Sequence, residues 1–415
     1  MKNLKKDNYK DKAIQFFFIT LFLFFLYPYS IELGSTGTGV SANYSFILFP
    51  IIIIILKGTL KIPNNNFIIM MIVYFAILII STLYSPQNIN LLDRRIISFL
   101  IFMSIFFYLA INIDENMLRA FKIAIVLISL SFIIFKISRY LEIVVFEVRE
   151  SGNLKNLIGW GRFGFVYIFG FWITVFYKPT SKLFYILKNV FIVLFIIGIF
   201  ITYSKSTMLS FLLTLVFYYL SVHGFIRKFF YFIFISFFIF VFYMFFQQFC
   251  FGAEDIFIAD RGLCYLVPDL NDIIDLRFSL SDKLGMVNTS EGFRIYMFLE
   301  ILKYVSINPF TGSGFLGCWI MFASGECSAH SQYGDVIFRT GFIGFLIYLF
   351  ILLQVFRYLK KHHRDLFFGF IGVLIYGLFN ETFKLSQGAF ILTFLVGLML
   401  SKKHKTNFYN IKKVN

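Results

Sequence analysis

FYILKNVFIVLFIIGIFITY, residues 184–203, decides the fold. The run carries one charge, Lys188, and as an α-helix it would rise about 30 Å, the thickness of a bilayer's hydrocarbon core. In lipid such a segment stands on its own, because a helix satisfies its own backbone polar groups. Working outward, comparable apolar cores fall at 13–31, 41–56, 67–84, 96–113, 121–138, 163–177, 206–222, 229–249, 338–356, 366–381 and 387–401. With the quoted run this predicts an all-α polytopic membrane protein of about 12 transmembrane helices. Composition agrees: 59% hydrophobic, 14% charged and a mean hydropathy of +0.81.

The formal charge of +16 does not mark a nucleic-acid binder, since Lys and Arg sit in short runs between apolar segments and form no continuous basic face. They read as topology. Alternate connections carry Lys57 and Lys61, Arg119 and Lys122, Lys178 and Lys182, Arg227 and Lys228, then Arg357 to Arg364 and the tail Lys402 to Lys413. By the positive-inside rule these are cytoplasmic, as are both termini. The basic start followed by Ala13–Tyr29 is expected to be an uncleaved first span, because the run is too long for an ordinary signal peptide and the small residues lie far past it.

One large polar interruption breaks the pattern, so the expected organisation is 1–249 (helices 1–9), a translocated loop domain at 250–337, and 338–415 (helices 10–12 with a basic tail). The stretch from Cys250 to Asp335 holds half of the chain's acidic residues and all four cysteines, Cys250, Cys264, Cys318 and Cys327. Clustering of this kind fits an oxidising compartment and two disulfides, with local pairs 250–264 and 318–327 preferred; four unrelated small hydrophobes are the alternative. No C-x-x-C or histidine spacing supports a metal.

Charges at the lip of the outer half of the bundle are Arg94, Arg95, Arg162, Lys205, Arg339 and Glu381. Intramembrane charges usually pair or face a wet cavity, and several cations together point to an anion site; snorkelling to headgroups is the bland alternative. Within the loop, apolar residues at spacings of three and four predict an amphipathic helix over Glu291–Ile307 lying on the membrane face, with Arg294 in its first turn and Pro309 as its stop. Thr311 to Gly317 is rich in glycine but lacks the features of a P-loop, so turn-making is its expected role. His330, before Ser331-Gln-Tyr333 and Asp335, could act as a general base or simply as a hydrogen-bonding loop residue.

This pattern resembles the O-antigen polymerase and ligase superfamily of bacterial inner-membrane glycosyltransferases. The matching residues are Ser204-Lys205 in a turn between spans, Arg294 before a helix, Asn308-Pro-Phe-Thr-Gly-Ser-Gly314, His330-Ser-Gln-Tyr333, and Gly341-Phe-Ile-Gly344 at the opening of the next span. Lys205 departs from the family's usual Arg, which keeps the charge and loses bidentate geometry. The resemblance implies a periplasmic loop and metal-independent, cofactor-free transfer from an undecaprenyl-pyrophosphate-linked oligosaccharide. Arg162, Lys205, Arg294 and Arg339 are then candidate pyrophosphate cations and His330 the candidate base, with Glu381, Asp335 and Tyr333 in reserve. Implied partners are membrane lipid, a chain-length regulator and a flippase. A polymerase joining repeat units in lipopolysaccharide biosynthesis is the preferred expectation; a ligase acting on lipid A-core is the alternative, and a lipid-linked oligosaccharide flippase is the reading from another class.

Overall fold

The computed structural model describes residues 2–27, 66–83, 113–140, 164–201, 204–222, 290–313, 331–383 and 386–412. Every regular element among them is an α-helix. These are α1 (Lys2–Leu26), α2 (Asn66–Leu83), α3 (Glu115–Tyr140), α4 (Gly164–Phe176), α5 (Lys182–Ile201), α6 (Lys205–Val222), α7 (Ser290–Ile307), α8 (Gln332–His362), α9 (Arg364–Phe379) and α10 (Ser386–Lys412). Predicted spans 41–56, 96–113 (except its last residue) and 229–249, and all four cysteines, lie outside the described residues.

Among the described residues, three stretches are long and apolar enough to cross a bilayer: Glu115–Ile134 of α3, Lys182–Phe200 of α5, and α8. Shorter apolar helices occupy five further predicted spans: Lys12–Leu26, Asn66–Ser81, Gly164–Phe176, Ser206–Val222 and Gln387–Ser401. α4 is the hub. Phe165 to Thr174 are buried on every side, and the helix packs on α3, α5, α6 and α9. Close approach is made possible by small residues, with Gly170 against Phe195, Gly198 against Ile133, Gly369 against Phe169 and Gly372 against Ile168. Phenylalanines fill the seam of α1, α3 and α10, where Phe121 stacks on Phe394 at 3.9 Å and Phe22 meets both Phe121 and Phe390. Hydroxyls in the bundle turn back on their own helices, as Ser129 does to Ile125 O and Thr393 to Ala389 O. α5 is different, with Leu183, Tyr185, Val190 and Val193 exposed along it, the composition of a face solvated by lipid.

One end of the bundle is basic. Lys122 of α3 pairs with Asp365 at the start of α9, and the Arg364 guanidinium lies 5.6 Å from the Phe176 ring at the end of α4. Three connections predicted to share a side are thereby brought together. α8 and α9 are antiparallel, since Tyr333 OH donates to Leu374 O near one end and Phe356 meets Phe367 near the other.

α8 begins six residues before the predicted span and is kinked at Gly341, where φ is 64° and ψ is −169°. The kink removes the helical bond from Phe342 N to Phe338 O. Both orphans find partners in the turn after α7: Phe342 N donates to Pro309 O (2.6 Å), and Ser313 N donates to Phe338 O (2.7 Å). Residues 308–313 therefore act as a backbone splint; of the stretch 311–317 expected to make a turn, 311–313 belong to it and 314–317 lie outside the described residues. α7 starts and stops where predicted, and Met297, Ile301 and Tyr304 pack on Phe338 of α8. Burial lifts the Tyr304 phenol above its ordinary range, with its hydrogen bond to Asn308 acting the other way. Outside this inner side, Phe298, Leu299 and Leu302 are exposed beside Lys303, so among the described side chains of α7 apolar residues are not confined to the packed face.

Candidate functional site

At the end of the bundle opposite the basic one, three helix junctions meet: the start of α8, the α9–α10 connection and the α5–α6 turn. Ser331 caps α8, its Oγ accepting from Gly334 N at 3.2 Å. The next residue, Gln332, is 5% exposed and reaches across to the end of α9. Its backbone N–H donates to Asn380 O (3.2 Å), while its Oε1 accepts from Thr382 N (3.1 Å) and Phe383 N (2.9 Å). Tyr333 OH donates to Leu374 O at 2.9 Å. The carbonyls that a helix end leaves unpaired, and the amides just beyond it, are met here by the first turn of α8.

The α5–α6 turn joins the same assembly. Ser204 caps α6 through Thr207 N (3.3 Å), and its hydroxyl lies 3.0 Å from that of Ser206. Asn380 Nδ2 donates to Ser206 Oγ at 2.5 Å, bridging residues 174 positions apart. Gly164, the first residue of α4, lies against Thr207, where any larger residue would overlap the threonine side chain. Lys205 thus opens α6 between two hydroxyls of this network, and Glu381, part-exposed, follows the asparagine that tethers it.

One helical turn further in, Arg339 Nε donates to Asp335 Oδ1 at 2.8 Å, both side chains being almost fully buried. A buried pair of this kind compensates a charge that would otherwise be costly, so Asp335 competes with any other anion for Arg339. Tyr333, also named from sequence, has its phenolic proton committed to Leu374 O. Arg294 lies near the amino terminus of α7, which is docked on the same part of α8. Arg162 and His330, like the cysteines, lie outside the described residues.

The structure therefore unites the turn bearing Lys205, the connection bearing Glu381 and the α8 start that follows His330 in sequence. Gln332, Asn380, Ser206 and Thr382, which tie these together, were not singled out from sequence. Their signal was faint: uncharged polar residues at the ends of apolar runs, where loops are expected to be polar anyway.

Among curated proteins, none matches the chain in sequence. Residues 190–349, under half of its length, match the family model described as O-antigen ligase. The match begins within α5, takes in the Ser204–Ser206 turn, α7, the splint and the kink of α8, and stops before the Asn380–Phe383 connection. Over residues 190–349 the chain is thus similar to the O-antigen ligase family, which supports the resemblance to the O-antigen polymerase and ligase superfamily.

Proposed function

We propose that this protein is an O-antigen polymerase that joins undecaprenyl-pyrophosphate-linked repeat units on the periplasmic face of the inner membrane. The observation that carries the reading is the convergence of the Lys205 turn, the Glu381 connection and the α8 amino terminus at one end of an apolar helical bundle. In this reading about twelve spans cross the membrane, both termini are cytoplasmic, and the stretch from residue 250 to the start of α8 forms a periplasmic loop domain held by disulfides.

Chemically, a hydroxyl of the acceptor sugar attacks the anomeric carbon of the donor. The bond to the pyrophosphate oxygen breaks, and undecaprenyl pyrophosphate leaves with the electron pair. Charge accumulates on the leaving oxygens, so fixed cations lower the barrier. Arg162, Lys205 and Arg294 are assigned that role. Arg339, already paired with Asp335, braces the kinked helix. His330 accepts the hydroxyl proton, with Glu381 as its alternate. The donor arrives activated, and no metal step is needed for the bond exchange.

The family description favours a second reading, an O-antigen ligase that passes the glycan to lipid A-core. Lipopolysaccharide resolved on a gel from a strain lacking the protein separates the two. Core bearing a single repeat supports the polymerase, core bearing none supports the ligase, and an unchanged ladder overturns both. The flippase alternative is tested with purified protein in detergent, where elongation of lipid-linked repeats needs no bilayer and translocation does.

A further inference from the structure

We propose that Asn380 and Gln332 are positioning residues forming a two-sided clamp that holds Lys205 and Glu381 in register across three helix junctions. The inference rests on the polymerase or ligase reading for its chemistry and on hydrogen-bond geometry for its mechanics.

Each of the two ionisable residues sits between tethered neighbours. Glu381 follows Asn380, whose backbone N–H donates to Tyr376 O of α9, whose carbonyl accepts from Gln332 N of α8 and whose side chain donates to Ser206 Oγ of α6. It precedes Thr382 and Phe383, whose amides both donate to Gln332 Oε1. Lys205 lies between Ser204 and Ser206, whose hydroxyls are 3.0 Å apart, the second being the acceptor of Asn380. A single asparagine is thereby bonded to three helices, and a single glutamine fixes the backbone on both sides of Glu381.

Capping alone does not require this. Other helix starts are capped from within their own turn: Asp114 Oδ1 accepts from Met117 N, and Ser181 Oγ accepts from Phe184 N. Ser204 and Ser331 do the same for α6 and α8. The bonds of Asn380 and Gln332 come on top of those caps and connect junctions 174 and about 50 residues apart. A site that stabilises developing charge gains from groups held in place before the reaction, since reorganisation during the reaction raises the barrier. Gln332, Ser206 and Thr382 are buried, which strengthens the network and makes each lost partner costly.

The test uses the purified full-length protein and its Asn380→Ala, Ser206→Ala, Ser206→Thr and Asn380→Ala/Ser206→Ala variants. Hydrogen exchange of peptides covering 204–208 and 380–383 is measured alongside turnover of a polyprenyl-pyrophosphate-linked oligosaccharide. Substituting Asn380 is expected to speed exchange in 204–208 and to lower kcat by about tenfold, with KM within about twofold and Tm little changed. Ser206→Thr, which keeps the hydroxyl, retains kcat, and the double variant is no slower than the Asn380 single. Unchanged exchange in 204–208, single effects that multiply, or a loss following KM or Tm would each overturn the clamp. If exchange is coupled between the two turns but the wild type transfers no glycan, the clamp stands and the enzymatic reading fails.

Discussion

Gly312 and Gly341 lie back to back, both with left-handed φ, of 61° and 64°. A Cβ on Gly312 would come within 2.6 Å of Gly341 N, and one on Gly341 would come within 2.5 Å of the Phe310 carbonyl carbon. Two residues 29 positions apart thus have to be glycine for the same reason. The exchange of hydrogen bonds between the splint and the kink leaves no room for a side chain on either.

Gly341→Ala is therefore expected to destabilise the protein by on the order of 3 kcal/mol from backbone strain alone, with further loss from overlap. Gly312→Ala should behave alike. Gly334→Ala is the control, because its Cβ would meet Ile301 Cδ1 at an ordinary 3.4 Å and its effect should stay under about 1 kcal/mol. Thermal melting in detergent compares the three, and equal melting temperatures would contradict the splint.

The Asp335–Arg339 pair makes an asymmetric prediction. Asp335→Leu strands a buried guanidinium and should cost about 3–5 kcal/mol, while the double variant Asp335→Leu/Arg339→Leu should recover much of that loss. If the double variant is as unstable as the sum of the singles, the two charges are not each other's main partner.

His330→Ala and Arg294→Ala are each expected to abolish long glycan chains at normal protein abundance. Lys205→Arg should retain most activity, and Lys205→Ala should lose about a hundredfold, the scale of one electrostatic donor in a closed site. Normal chain length in both His330→Ala and Arg294→Ala would remove the proposed centre.

Replacing all four cysteines with serine is expected to lower resistance to heat and protease in the loop 250–337 by removing two cross-links. Non-reducing mass spectrometry of the wild type should show 250 paired with 264 and 318 with 327. Four free thiols in protein recovered from the membrane would rule the cross-links out.

Hydrophobic pattern made much of the bundle legible in advance. Apolar runs at 121–138, 163–177, 184–203, 206–222, 366–381 and 387–401 correspond to α3, α4, α5, α6, α9 and α10, because helix formation in an apolar setting depends on run length and little else. The basic connections were similarly readable, and Lys122, Asp365, Arg364 and Phe176 do meet at one end. Pro309 and the residues near Ser290 correctly bounded α7. Harder to read was the early start of α8: Gln332 to Phe338 is polar enough to pass for loop, and its helix is held by a turn more than 20 residues earlier.

The sequence by itself determined that this chain is helical, apolar and punctuated by charge, since those properties depend on local composition and on the backbone's need to bond itself. It also named Lys205, Glu381 and Arg339 as charges out of place, and Asp335 as a reserve acceptor for a proton. Only the tertiary structure decided which of them face one another. Asp335 belongs to Arg339, Glu381 to a connection tied to the turn that bears Lys205, and the ties themselves are made by Asn380, Gln332 and Ser206. Uncharged polar residues carry no period and no charge pattern. Their meaning depends on which unpaired backbone groups other helices bring within 3 Å, and that is set only when the bundle has packed.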